Sequence, residues 1–542
     1  MPTPKQTPGA VLFPINLTAP AFNGLTLEAS GNTLGPEWAT ELNNAVFDST
    51  GRPSARKGWL TETSSPDNEL ILRIFEYFKA DGTSEILFST DSDINKTVDN
   101  PASVKGSLTI TDGNIKFVNF NDKCIAFGIG TGGVPAVYTT SGTFADVAAA
   151  TGVRPTGRVG TAAFGRIWGV DTDGKTIRYS ALLDETKWAT DDGGGIIDFS
   201  NVWPAGQDSI VAIEEFGGDL IVFGSRNTVI MTDGKGSALG IEPDDMYVSD
   251  TIPGLGAISQ FAITRAVGDL WYLTNQGLTS LGREIAVRST EFTNLTKQVQ
   301  TQTIDWLATE GDVDDITLEY SPEDSFVILN FPTSDKQVVF DTRAQLQDGT
   351  YRITTWTSVL QTCHYNNKLK KLQGSLTGTV GEIFKYSGAK DDDDNYIFTY
   401  LSGWLNLGEE SNLYLKFVKR MTSFVLVEAN VTVSHTVQYD FGTSTFSVDK
   451  TATRARAIEW GQFEWSDGSA NSSGGVWNTE DPTAVAGVDI AEWGGGASIT
   501  TLDVAMKSGG QYIKVGLSLN TNAGTFALQQ INLFAKVGRL AT

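Results

Sequence analysis

The strongest constraint on what this chain can fold into is a unit that keeps returning: a Gly or Asp turn, a short apolar strand, a polar turn and a second apolar strand. It reads NDKCIAFGIGTGGVPAVYTT from Asn121, FGRIWGVDTDGKTIRYS from Phe164 and FGGDLIVFGSRNTVIMTDG from Phe216. It continues as VGDLWYLTNQGLTSLG from Val267, EDSFVILNFPTSDKQVVFD from Glu323 and NNKLKKLQGSLTGTVGEIFKYSG from Asn366. Successive starts lie 43, 52, 51, 56 and 43 residues apart, and LILRIFEYFKADGTSEILFST (70–90) is an earlier copy 51 residues before Asn121. These steps match the roughly 40 to 50 residues of a four-stranded propeller blade. A lone four-stranded sheet with two partly apolar faces cannot satisfy itself, whereas radial packing buries those faces and leaves only short edges. The alternative is a set of unrelated hairpins in a β-sandwich.

The expected fold class is therefore mainly β: a β-propeller with about six blades, six or seven by the number of units, over residues 66–390. An N-terminal extended or β segment (1–65) precedes it. At AKDDDDN (389–395) four successive aspartates repel one another and mark a boundary or an exposed loop. Beyond it, KFVKRMTSFVLVEANVTVSHTVQYDFG (416–442) and QYIKVGLSLNTNAGTFALQQINLFAKVG (511–538) predict an additional antiparallel β-domain over 391–542. One helix is expected in STEFTNLTKQVQTQTIDWL (289–307), where Phe292, Leu295, Val299 and Trp306 fall at helical spacings behind Ser289 and Thr290.

The 542 residues suffice to bury a large core, and no apolar run approaches the roughly 18 residues of a membrane span. The proline-broken start does not read as a secretory signal, so synthesis is expected to finish in the cytosol. Cys124 and Cys363 stand far apart without a CxxC pair, as two reduced, buried thiols would. With 40 Lys plus Arg against 64 Asp plus Glu, the net charge is −24. Counterion release from phosphate needs clustered cations, so the chain is expected to repel nucleic acid. The predicted helix carries only Lys297 as a cation.

Catalytic chemistry finds little support. His364 and His435 are the only histidines and sit in no nucleophile or metal motif. The glycines after Asp191 and Asp192 lack the lysine and following helix of a phosphate loop. Asp171, Asp173 and Gly174 resemble the opening of a calcium loop but lack its remaining ligands, which favours a plain hairpin turn. Glycosidase chemistry would need two carboxyls roughly 5 to 9 Å apart, and no such pair is legible. Trp168, Phe223 and Trp271 alternate with aliphatic residues and read as core; Trp477 and Trp493 sit among glycines and suit either an interface or core. No catalytic, cofactor-binding or metal-ligating residue is assigned, and no enzyme activity or cofactor is expected.

One stretch stands apart. LNNAVFDSTGRPSARKGW (42–59) crowds Arg52, Arg56 and Lys57 behind a tight turn, with Pro53, Gly58 and Trp59 beside them. With Asn43-Asn44 leading through a strand and a Gly turn to Arg56-x-Gly58-Trp59, this stretch resembles the tail nozzle proteins of short-tailed bacteriophages (podoviruses), also called the tail tubular protein B family. The resemblance extends to GRIWGVDTDGKTIRYSALLDETKW (165–188) with its Tyr179-Ser180 and closing Trp188. It also covers GGDLIVFGSRNTVIM (217–231) and GQYIKVGLSLNTNAGTFALQQINLFAKVGR (510–539).

The resemblance implies a structural virion protein, assembled in the host cytoplasm into a homo-oligomeric, hexameric ring. The ring would close the distal end of the tail below the adaptor protein, meet tail fibre or spike proteins, and open for genome ejection. Phage DNA would pass through its lumen without specific binding. It further implies that Arg52, Arg56 and Lys57 meet acidic loops of the same chain or of a neighbour, that Trp59 anchors the segment in apolar surface, and that Pro53 fixes the turn. The residues alone also allow an ordinary first strand with solvated basic side chains. A receptor- or glycan-binding propeller and a carbohydrate-active enzyme are the alternative functions.

Overall fold

In the computed structural model, residues 12–64, 69–97, 102–139, 142–203, 207–235, 241–286, 294–357, 360–378, 380–392, 394–406, 414–453, 498–521 and 526–540 are described. The chain forms two compact units, one of residues 59–386 and one that combines residues 1–58 with 387–542. The expected N-terminal and C-terminal segments thus cluster as one unit.

The 59–386 unit is a β-propeller. Four-stranded antiparallel sheets follow one another over 71–103, 117–146, 160–198 and 210–253, and a three-stranded sheet covers 263–280. A further four-stranded ladder runs through Thr317–Ser321, Phe326–Phe331, Lys336–Gln345 and Tyr351–Trp356. The last sheet orders Leu360–Asn366, Lys371–Leu376, Glu382–Tyr386 and then Trp59–Ser64. Six sheets are blades in themselves, as expected, and the 317–356 ladder occupies a seventh blade's place. Its first strand lies beside Ile263–Ala266 on one side and Leu360–Asn366 on the other, and Leu360–Asn366 returns to Ile71–Phe78.

Radial packing follows from which faces are apolar. Tyr77 and Leu87 of the first blade bury against Cys124, Tyr138 and Phe144 of the second. Phe127 meets Ile167 and Trp188, and Trp168 and Tyr179 meet Leu220 and Val222. Phe223 then lies 4.9 Å from Tyr272 between ring centroids, and Trp271 lies 6.0 Å from Phe340 and 5.1 Å from Tyr351. Trp356 stacks on Tyr386 at 5.5 Å, and Ile383 packs with Ile71 and Ile74. Each such side chain contributes roughly 1.5–3 kcal/mol on leaving water. Trp168, Phe223 and Trp271 are core, as their alternation predicted.

Closure uses the front of the chain. Trp59–Ser64 is the fourth strand of the last blade, paired antiparallel with Glu382–Tyr386, with Trp59 fully buried 5.2 Å from Tyr386. The propeller therefore begins at Trp59 rather than near 66, because the last hairpins supply only three strands. Glu76 of the first blade accepts the backbone amides of Asn367 and Lys368 at 2.8 and 3.3 Å, which ties the last blade's turn to the first.

The helix is shorter and later than its periodicity suggests. A single 3-10 turn, Lys297–Val299, leads into Gln300–Thr309, and Ser289, Thr290 and Phe292 lie outside the described residues. A second short helix, Leu281–Ala286, ends the three-stranded blade.

The other unit is built from two sheets. One contains Ser498–Ala505, Tyr414–Val427, Phe526–Leu540, Pro53–Ala55 and Ala45–Phe47, with Phe13–Thr18 also paired to Phe526–Leu540. The second orders Trp38–Asn43, Ile397–Ser402, Ile513–Asn520, Val431–Tyr439 and Phe446–Ala452. Their inner faces meet through Phe398 and Phe526, 5.2 Å apart, and through Ser423 and the fully buried His435, 2.8 Å apart.

Residues 42–59 become intelligible within this unit. Asp48 closes the turn by accepting the amides of Thr50 (2.8 Å) and Arg52 (3.0 Å), with Gly51 at φ 80°. Pro53 opens the next strand and does not make the turn, a correction to its expected role. Arg52 pairs with Asp48 at 2.6 Å and reaches Gln529 at 2.9 Å. Arg56 is buried and makes a two-pronged bond to Asp391, at 2.8 and 2.6 Å, with its guanidinium 4.0 Å over the Tyr396 ring. A Cβ at Gly58 would fall 1.8 Å from the Lys390 carbonyl oxygen, so only glycine fits. The aspartate run was expected as a boundary or an exposed loop. The boundary falls between 386 and 387, and Asp391 is buried because Arg56 neutralises it.

Arg56→Ala is expected to destabilise the protein by about 3–5 kcal/mol, because it strands the Asp391 carboxylate without its partner. Denaturant unfolding followed by tryptophan fluorescence checks this, with Arg52→Ala, on a half-exposed turn, expected to cost about 1 kcal/mol or less.

Candidate functional site

Charged residues inside apolar strands need partners, and the propeller collects several at its axis. Arg73 interrupts Ile71–Phe78, and its side chain donates to the Leu72 carbonyl at 2.7 Å and to the Asp314 carbonyl. Its guanidinium sits 3.8 Å over the ring of Phe261. Residues 73, 261 and 314 belong to the first, fifth and sixth positions of the ring, and such distant blades can meet only around the axis.

The segments that enter the innermost strands supply the rest. Asp112 forms an ion pair with Arg158, and Asn114 donates to Asp315 at 2.9 Å. Ser259 donates to the Asp314 carboxylate at 2.7 Å, and the Gln260 amide donates to the Arg158 carbonyl at 3.2 Å. Burial pulls the Arg73 guanidinium down to about 10 against the opposing pull of Asp314, Asp315 and Asp112. Burial likewise raises the Asp314 and Asp315 carboxyls, while Asp112 stays low because the Arg158 and Asn114 bonds outweigh its burial. Among the described residues, Arg73 Nε, Asn114 Oδ1 and Gln260 Oε1 are buried without a hydrogen-bond partner.

A second polar layer lies along the same strands. Lys116 of the second blade bonds Glu214 of the fourth at 2.9 Å. Glu319 accepts the Tyr365 amide at 3.0 Å, and burial pushes its carboxyl up to about 7 although Lys116 favours the charged form. Burial holds His364 neutral, pulled down to about 4, with its ring 6.3 Å from that of Phe75.

Of the residues singled out in the sequence, His364 and Cys363 lie in this layer, Cys363 close enough to Glu319 and Arg73 to feel their charges, and the others lie elsewhere. Cys124 and Cys363 are free and buried, and burial raises both thiols. His435 is a core residue. Asp173 accepts the Lys175 and Thr176 amides at 2.8 and 2.9 Å, and Asp171 holds Arg178 at 2.8 Å, which makes this segment a hairpin turn. Lys297 stands 3.6 Å from Asp348. Trp477 and Trp493 lie outside the described residues. Among the described residues no group of three or more His, Cys, Asp or Glu side chains is placed to hold a metal ion, and no helix is long and apolar enough to cross a membrane. Arg73, Lys116, Glu214 and Glu319 were missed, and the available signal was a charge inside or next to the first strand of a blade.

The chain is thus a β-propeller protein with a second β-unit. No family model and no curated protein matches it. Among solved structures it is similar to the β-propeller domain of Cps50 (Swd1) from Myceliophteria thermophila, at 9% identity and TM-score 0.36 over 62% of this chain and 99% of that one. It is also similar to Hsv2 from Kluyveromyces lactis, at 9% identity and TM-score 0.31 over 53% of this chain and 97% of that one. An exo-β-1,3-galactanase from Phanerochaete chrysosporium gives 9% identity and TM-score 0.24 over 91% and 99% of the two chains. The propeller assignment rests on the strand pairing described above.

The axial layer has a pH signature. A carboxyl raised to about 7 keeps in the fold a proton that the unfolded chain releases near the ordinary glutamate value of 4.5. Glu319's share of the stability should therefore fall as pH rises between those values and level off above, by up to about 3 kcal/mol, while His364, pulled from 6.5 to about 4, contributes a rise over the overlapping window. Glu319→Gln should remove that slope and be more stable than wild type at pH 8, as read from urea midpoints across the range.

Proposed function

We propose that this protein is a structural component of a virion, the distal tail nozzle of a short-tailed bacteriophage, working as a homo-oligomeric ring that closes the tail channel and opens for genome ejection. The observation that carries the reading is where the resembling stretches fall. Residues 43–59 hold the buried Arg56–Asp391 pair, the Gly58 contact and the Trp59 closure. Residues 165–188 and 217–231 lie in the third and fourth blades, and 510–539 spans strands in both sheets of the other unit. The resemblance thus falls on fold-determining positions in both units.

The propeller axis also bears on this reading. Arg73, Asp112, Arg158, Asp314, Lys116 and Glu214 engage one another or neighbouring backbone along it. A genome would pass through a bore framed by several copies, not through one propeller. A net charge of −24 per copy suits a wall to which packaged DNA does not adhere. The adaptor ring and the tail fibres or spikes are the partners that this reading implies.

Native mass spectrometry and negative-stain imaging, alone and with the adaptor ring, should show a closed, six-fold ring; a protein that stays monomeric under both conditions overturns the proposal. Duplex DNA should bind more weakly than the ~10⁻⁴ to 10⁻⁶ M of ordinary nonspecific binders at physiological salt. Micromolar binding that weakens steeply with salt in an anisotropy titration would overturn the acidic-wall mechanism.

A further inference from the structure

The unit that contains residues 387–542 carries a surface feature that its own packing does not account for. Trp404, Phe441 and Tyr512 form a ladder of three rings, with centroids 4.8 and 5.0 Å apart and successive planes tilted by 47° and 46°. Trp404 and Tyr512 are half-buried, whereas Phe441 in the middle is 53% exposed.

The backbone that presents Phe441 is costly. Gly442 N donates to the Tyr439 carbonyl at 2.9 Å, which closes a turn whose central residues, Asp440 and Phe441, have φ of 50° and 57°. Such a turn favours Asn-Gly, and a bulky aromatic residue in the left-handed region is disfavoured. Packing against Trp404 and Tyr512 offsets part of that cost while half of the phenyl ring stays exposed, and residues held in this way cluster at ligand-binding positions.

The ladder is held rigidly from several directions. Asp440 Oδ1 accepts the amides of Gln511 and Tyr512 at 2.6 and 2.9 Å, fixing the turn against the segment that carries Tyr512. A Cβ at Gly510 would fall 2.5 Å from the Asp440 carboxylate, so that approach needs glycine. Trp404 N donates to the Gly31 carbonyl at 2.6 Å, and a Cβ at Gly31 would lie 3.2 Å from the indole. The Lys514 ammonium stands 5.7 Å from the Trp404 ring.

We propose that Trp404, Phe441 and Tyr512 form a binding platform for a linear polysaccharide built of pyranose sugars. A pyranose has an apolar C–H face, which suits an aromatic ring, and a rim of hydroxyls, which suits the Lys514 ammonium and the Asp440 carboxylate. Stacked nucleobases need near-parallel faces, and a chain of charge −24 does not favour a polyanionic strand. The platform does not depend on the nozzle reading, which concerns ring assembly.

The test uses the full chain and four soluble probes: maltohexaose, isomaltohexaose, cellohexaose and chitohexaose. Saturation-transfer NMR and titration calorimetry are run on wild type and Phe441→Gly, a change that removes the ring and accepts the turn's φ. At least one probe should bind wild type and bind the variant at least about tenfold more weakly, while the variant's Tm stays equal or rises. Absence of binding by all four probes overturns the proposal, as does equal binding by the variant. A fall in the variant's Tm with binding intact would assign Phe441 to packing and overturn it as well.

Discussion

The propeller depends on one strand arriving from the wrong end of its sequence. Hairpins that follow one another along the chain build every blade but the last, whose outer strand comes from ahead of the first blade and not from the residues that follow Tyr386. Trp59–Ser64 fills that place, hydrogen-bonded to Glu382–Tyr386, and Trp59 packs fully buried beside Tyr386. An unfilled place would leave an open edge able to pair with another chain. Glu76 repeats the tie on the innermost strand by holding the 367–368 turn. The chain therefore changes unit twice, after Gly58 and after Tyr386. At the first crossing three adjacent features meet: a buried cation at Arg56, a glycine with no room for a side chain and a buried indole.

Around the axis the energetic problem is the opposite one. Innermost strands would be most stable with wholly apolar side chains, yet Arg73, Lys116, Glu214 and Glu319 lie in or beside them. A buried charge survives only when it is paired or hydrogen-bonded, and pairing costs nearly as much in desolvation as it returns in attraction. Such networks fix geometry more than they add stability: Asp112 with Arg158 and Lys116 with Glu214 tie non-identical blades together in a defined order around a nearly symmetric ring. The contrast with Phe441 is instructive, since there an exposed side chain is held in a costly conformation, whereas Phe164, also at positive φ, is packed against the third blade's apolar layer.

Much of this was legible in the sequence because sheet proteins advertise local pattern. The 43 to 56 residue steps, the alternation around Trp168, Phe223 and Trp271, and the Gly and Asp turns arise from neighbours along the chain, and they predicted blades and core. The aspartates of 391–394 signalled a change of unit because like charges repel wherever they sit. Pairings across hundreds of residues left no such trace. Nothing local indicates that Arg56 will meet Asp391, that Trp59 belongs with Tyr386, or that residues 13–55 will share sheets with 414–540. The single 3-10 turn ahead of the helix start at Gln300 was likewise a tertiary outcome, since the apolar spacing of Leu295 and Val299 continues through it. The sequence by itself determined the repeating hairpins, the change of character near residue 390 and the net charge of −24, because local propensity, periodicity and charge require no partner. The tertiary structure alone decided the ring closure, the axial charge network and the Trp404–Phe441–Tyr512 ladder, because each needs side chains from distant segments to arrive at one point in space.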